Sequence, residues 1–188
     1  MVFFDRQAAR LSVVALALLL GSCTSTPAPS PSNSTPPVSL GSSSPSPTDP
    51  RVGAVQAAVA AYRGMWQAYN SAVQIPNPDS PDLARYATGS ALQTLVSGLK
   101  SVKGRGLKGT GQLVLAPEVT EISPTNAPAK VGVRDCFDDG GTHLVRVSPG
   151  SQYSDPPGGR RLCLATVERQ GDASWKVTQF GLRGVGTC

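Results

Sequence analysis

Few side chains in this sequence are of types that do chemistry. They are Asp135, the nearby Asp138 and Asp139, the single histidine His143, and the cysteines Cys23, Cys136, Cys163 and Cys188. Asp135 alternates with Val131, Val133 and Phe137 on one face of an expected strand over 130–137, and Lys130, Gly132, Arg134 and Cys136 take the other. A carboxylate among apolar neighbours is suited to act as a general base. A bulge that turned Asp135 outward, or an ion pair with an arginine, would instead leave it a structural role. No pair of oxyanion donors stands out beside it. His143 follows the Gly140-Gly141 turn, and nothing sets it beside a nucleophile or a base. Asp138 and Asp139 most simply serve that turn; a calcium ion would require more oxygen ligands than the segment offers. With one histidine and no closely spaced cysteine pair, no metal site is expected, and no cofactor is implied.

The elements that must position these residues are legible in the periodicity of residues 50–188. Asp49-Pro50 is a helix start, with a capping carboxylate and a proline at the first helical position. The apolar residues Val52, Val55, Val59, Tyr62, Trp66, Tyr69 and Val73 then recur every three or four positions, which places them on one helical face. Alanines at 54, 57, 58, 60 and 61 raise helix propensity between them. Pro76 disfavours helical geometry before it, so the helix is expected to end near Ile75. Ser80-Pro81-Asp82 starts a short second helix with Leu83 and Tyr86 inward. A third carries Leu92, Leu95, Leu99 and Val102 and ends near Gly104. Lys100, Lys103, Arg105 and Lys108 gather at its C-terminal end, where cations suit a helix terminus and a solvated loop; the alternative is an anion or phospholipid-surface patch.

From Gly111 the period changes to two. Strands are expected over 112–122, broken or bulged at Pro117, and over 130–137, 142–147, 160–169 and 174–182, with a long Pro/Gly/Ser loop at 148–159. The reading is an α+β domain: three N-terminal helices packed on an antiparallel meander.

Cys23 stands apart from this domain. Arg6 and Arg10 precede an apolar run over 11–20 that is too short to span a bilayer, which takes roughly twenty residues. Leu20-Gly21-Ser22-Cys23 then matches a lipobox: a leucine, two small residues and a cysteine whose thiol takes a diacylglyceryl group. The expectation is a signal peptide over 1–22 and a mature chain held by acyl chains at Cys23 on the extracytoplasmic face of the cell membrane. At about 0.8 kcal/mol per buried CH₂, two or three chains anchor where one does not. Residues 23–49 are almost entirely Ser, Thr, Pro and Ala, too poor in apolar surface to fold. They read as a disordered linker with Ser and Thr beside Pro open to O-glycosylation. Its 27 residues reach roughly 80 Å when extended at about 3.1 Å each. With Cys23 acylated, Cys136, Cys163 and Cys188 allow three single pairings in an oxidising compartment. Cys163, within Leu162-Cys163-Leu164-Ala165, reads as a buried core thiol. The formal charge is +5, one unit of it in the leader. The basic residues do not line a helix with interleaved aromatics, so no nucleic-acid partner is expected.

Several stretches together resemble a group of secreted actinobacterial lipoproteins with no assigned activity. They are Tyr62-Arg63-Gly64-Met65-Trp66 on an Ala-rich helix, 83–89, Val133-Arg134-Asp135-Cys136, Gly158-Gly159-Arg160-Arg161, Trp175-Lys176-Val177 and Gly186-Thr187-Cys188. The resemblance covers roughly residues 50–188. It implies a nuclear transport factor 2-like fold, in which helices and a curved sheet enclose a conical pocket, here without the usual small hairpin between the second and third helices. The group commonly carries cysteines at the positions of Cys136 and Cys188, which implies a disulfide between them. Tyr62, Trp66, Tyr69 and Asp135 become the candidate pocket residues. A fold of this kind hosts enzymes, ligand binders and interaction modules alike. The reading is a non-enzymatic lipoprotein that binds an envelope protein or a small apolar ligand. The alternative is an isomerase or dehydratase with Asp135 as base, as ketosteroid isomerase uses a carboxylate on the same general fold.

Overall fold

In the computed structural model of the chain, the described residues are 49–148, 150 and 153–188. The expected signal peptide, the lipobox cysteine Cys23 and all of the expected linker but residue 49 lie outside them. The elements are α1 (Pro50–Gln74), α2 (Pro81–Tyr86), α3 (Gly89–Gly104), β1 (Leu107–Gly111), β2 (Pro117–Ser123), β3 (Lys130–Asp138), β4 (Thr142–Arg146), β5 (Arg160–Arg169) and β6 (Trp175–Leu182). Asp49 caps α1 as its type suggests: its carboxylate accepts the Arg51 N–H at 2.9 Å, with Pro50 next in the helix. No helix among the described residues is long and apolar enough to cross a membrane.

Three helices precede and pack on antiparallel sheets, the α+β class read from the sequence. Strands β2-β3-β5-β6 form a four-stranded sheet in that order. Its register shifts between Val119 and Glu121 and between Thr166 and Val167. Such bulges bend the strands that carry them. The expected simple meander is not what forms. β4 does not return along β3; it pairs with β1, Leu107 opposite Arg146 through Gly111 opposite Thr142, and leaves β3 to pair with β5. Strand β1 occupies residues read as a solvated basic loop. Leu107 is fully buried, and Gly109 lies so close beneath α1 that a Cβ there would meet Val73 at 2.6 Å. Burial of one leucine and the close approach of one glycine make a strand where the surrounding Lys, Thr and Gly suggested none.

The apolar stripe of α1 is also rotated from its expected position. The buried face runs through Ala54, Ala58, Ala61, Met65, Ala68 and Ala72, with Tyr62 and Trp66 beside it, while Val52 is half exposed. Small side chains let a helix axis approach the sheet, so the alanines form the contact face besides raising propensity. The main core lies between this face, α3 (Leu95, Leu99) and the inner face of the sheet (Val131, Val133, Val167, Val177). Each of these large side chains contributes about 1.5–3 kcal/mol by leaving water. The junction of α2 and α3 is tied to β6 through the Thr88 N–H and the Val177 carbonyl at 2.9 Å. At the other end, Cys136 of β3 and Cys188 form a disulfide. The tail runs along β5, with the Gly186 N–H donating to the Arg160 carbonyl at 2.7 Å.

Candidate functional site: an aromatic cavity with a charged rim

A cavity of about 540 Å³ opens between α1, α3, β1, the end of β3 and β6. Its apolar wall is built from Trp66 and Tyr69 of α1, Leu95 of α3, Phe137 of β3 and Phe180 of β6. The rings pack around Trp66, whose centroid lies 4.6 Å from that of Phe137, 5.1 Å from Phe180, 6.1 Å from Tyr69 and 6.4 Å from Tyr62. Tilted and edge-on contacts of this type add about 0.5–1.5 kcal/mol each beyond area burial and hold the wall rigid. The Trp66 Nε1–H is buried and has no acceptor among the described residues.

The polar side of the cavity carries one ion pair and one histidine–carboxylate contact. Asp139 faces Arg161 at 3.2 Å, and the Asp139 carboxylate also accepts the Gly159 N–H at 2.8 Å. His143 Nδ1 lies 3.6 Å from the Asp155 carboxylate, which accepts the Leu144 N–H at 2.9 Å. These bonds dock the segment 155–159 against the β3–β4 turn as one wall of the cavity. Arg105 and Tyr153 complete the rim.

Trp66 and Tyr69, two of the four expected pocket residues, line the cavity. The other two sit one layer behind. Asp135 is 1% exposed and is absent from the wall. The Tyr62 O–H donates to Asp135 Oδ2 at 2.9 Å, and the Ala116 N–H donates to Asp135 Oδ1 at 2.7 Å. Cys163 is the cross-strand partner of Asp135, fully buried and unpaired. Burial pushes the Cys163 thiol up to about 11; the nearby Tyr62 hydroxyl offsets this in part, and the Asp135 charge adds to it. Burial, with Cys163 and Asp135 close by, also drives the Tyr62 phenol far above its ordinary value near 10. Burial likewise raises Tyr69. The alternation along β3 put Asp135 on the face of Val131, Val133 and Phe137 from the sequence alone; that the side chain turns inward is shown by its burial in the fold. Its partners could not be read from the sequence, because Tyr62 is 73 residues away and Ala116 is 19.

The rim was also outside the reach of the sequence. Asp139 had been assigned to its turn, which it does serve: its carbonyl accepts the Thr142 N–H at 2.9 Å. Its pairing with Arg161 spans 22 residues. Phe180 alternates on β6 as any core strand residue would, so only the fold distinguishes it as wall. Among the described residues lining the cavity there is no Ser or Cys to act as a nucleophile beside His143, and no cluster among the described residues could hold a metal ion. The arrangement can hold an apolar body against aromatic rings and place a polar end at the rim.

No protein-family model matches the chain, and no curated protein matches it. Among solved structures, the chain is similar to the intermembrane space region of the chloroplast protein ARC6. That likeness has 12% identity and a TM-score of 0.48, and covers 68% of this chain and 94% of that one. It is also similar to a ketosteroid isomerase-like protein from Erwinia carotovora atroseptica, at 14% identity and a TM-score of 0.39, over 66% of this chain and 91% of that one. Likenesses this distant carry no inference about activity, which rests on the site itself.

Proposed function

We propose that this chain is a lipoprotein of the cell envelope, anchored by acyl chains at Cys23. Its domain over 50–188 is a nuclear transport factor 2-like cone that binds a small, largely apolar ligand without transforming it. One observation carries the binding reading: a cavity of about 540 Å³ walled by Trp66, Tyr69, Phe137 and Phe180. That volume is in the range of small-molecule sites, and such sites are typically apolar with a few placed polar groups. The fate of Asp135 favours binding over catalysis. Both carboxylate oxygens hold protein hydrogens, and the residue lies behind the wall, so a ligand proton in the cavity has no open route to it. The isomerase alternative would require Tyr62 to release it.

The test uses the full-length chain with Cys23→Ser, so that no acyl chain of its own competes, and N-phenyl-1-naphthylamine as a fluorescent apolar probe. Saturable binding at one site is expected. Thr94 is exposed on α3 and borders the cavity, so Thr94→Trp is expected to weaken binding by about tenfold, equivalent to about 1.4 kcal/mol. Probe binding that never saturates, or that is indifferent to Thr94→Trp, would remove the cavity as the site.

A further inference from the structure

The cavity rim holds positive charge for which the described residues supply no carboxylate. Arg105 borders the cavity directly. Arg146, on β4, donates to the Arg105 carbonyl at 2.7 Å. Both guanidiniums lie on the ring of Tyr153, at 5.8 and 5.7 Å from its centroid, and Arg105 also reaches the Tyr153 hydroxyl at 3.3 Å. Neither forms an ion pair among the described residues, whereas Arg161 on the same rim is matched to Asp139. Lys103 lies in the last turn of α3, two residues before Arg105.

A helix C-terminus explains some of these cations, since Lys103 and Arg105 offset the negative end of the α3 dipole. It does not explain Arg146, which comes from a strand. Two like charges on one aromatic ring repel each other while the ring attracts both. An anion within reach of both would offset that repulsion and gain charge-assisted hydrogen bonds in the fork geometry guanidinium provides.

Resting on the ligand-binding reading above, we infer that the ligand is an anionic amphiphile. Its apolar body lies against Trp66, Phe137 and Phe180, and its carboxylate or phosphate monoester head is held by Arg105 and Arg146.

The experiment is displacement of N-phenyl-1-naphthylamine from the full-length Cys23→Ser chain. The competitors share one chain length and are kept below their micelle concentrations: dodecanoate, dodecyl phosphate, dodecanol and dodecyltrimethylammonium, with inorganic phosphate alongside. Dodecanoate, dodecyl phosphate or both are expected to displace the probe at about tenfold lower concentration than dodecanol. Their relative potency identifies the head, and inorganic phosphate alone is expected to displace nothing. The pair Arg105→Gln and Arg146→Gln should abolish the anionic advantage over dodecanol; Lys130→Gln, away from the cavity, should preserve it. The head-group series on the unaltered arginines stands whether or not the double variant folds, and Arg105→Glu alone should shift preference toward the trimethylammonium. If the probe binds and the alcohol competes as well as the anions, the head-group inference falls while the cavity remains a binding site. An anionic advantage that survives the loss of both arginines, or is lost in Lys130→Gln, overturns it equally. If the probe does not bind at all, the cavity reading fails and takes this one with it.

Discussion

At the scale of single residues, the most constrained point in the domain is the buried trio Tyr62, Asp135 and Cys163. A carboxylate withdrawn from water is tolerable only when its oxygens are hydrogen-bonded, and here the Tyr62 O–H and the Ala116 N–H supply the bonds. The thiol and the phenol are held protonated by the same burial. This has a consequence at alkaline pH. In the unfolded chain the thiol ionises near its ordinary 9.0, while in the fold it keeps its proton until about 11. Between those values the native state binds the extra proton, so stability is intact below pH 9 and falls as pH rises. The slope is roughly 1.4 kcal/mol per pH unit from this group. Tyr62 adds a loss of the same sign above pH 10. Urea unfolding of the wild type and Cys163→Ala should diverge in slope from pH 9 upward, with the variant flatter between 9 and 10. Parallel pH profiles would mean that the thiol is not held neutral by the core. Alternation along β3 made the shared face of Asp135, Val131, Val133 and Phe137 readable from sequence; its inward turn and what satisfies it depend on α1 and on the segment before β2 meeting at one point, which only the fold supplies.

At the scale of elements, periodicity and caps placed the helices, and with them the inward residues Leu83 of α2 and Leu95, Leu99 and Val102 of α3, but not the full face that α1 presents. Large apolar residues at 52, 55 and 59 outweigh alanines in any hydrophobic count, yet α1 buries Ala54, Ala58 and Ala61 because close approach favours small side chains. Strand β1 escaped notice for a related reason. Its contact with α1 is made through Gly109, a residue with no side chain to signal burial. Gly64 makes the same kind of contact between α1 and α2: a Cβ there would meet the Tyr86 ring at 2.6–2.9 Å. Mid-helix glycine costs about 1 kcal/mol in propensity relative to alanine, so replacing it in an open position would stabilise the helix. Here the steric term should win. Gly64→Val is expected to destabilise the domain by about 1–3 kcal/mol, the usual range for overpacking. The control is Gly53→Ala, where nothing lies within 4 Å of a Cβ and stability should rise slightly. Thermal melts of the two variants should move in opposite directions; if Gly64→Val melts like wild type, the α1–α2 contact is not as tight as described.

For the whole molecule, the three cysteines of the domain and the one before it have to divide into distinct chemical fates. The Cys136–Cys188 disulfide joins residues 52 positions apart and fixes the tail against β5. A cross-link of that span restricts the unfolded chain by an amount worth about 4 kcal/mol in the chain-entropy view. Such bonds persist in oxidising compartments, which agrees with a chain exported behind a cleaved leader. Cys163 cannot take part, since it is buried across the sheet from Asp135. In the lipoprotein proposed above, Cys23 is the cysteine that takes the acyl chains. One measurement tests the whole partition: intact mass spectrometry of protein taken from its own membrane. The mass should correspond to a chain starting at Cys23 with acyl chains attached and two hydrogens fewer for the disulfide. Iodoacetamide should add nothing to the native protein and one adduct after unfolding without reductant, on Cys163. A chain starting elsewhere, or lacking acyl groups, would detach the domain from the membrane and with it the envelope setting of the ligand. A native adduct would show that the core around Tyr62 and Asp135 opens, which would return Asp135 to the candidates for catalysis.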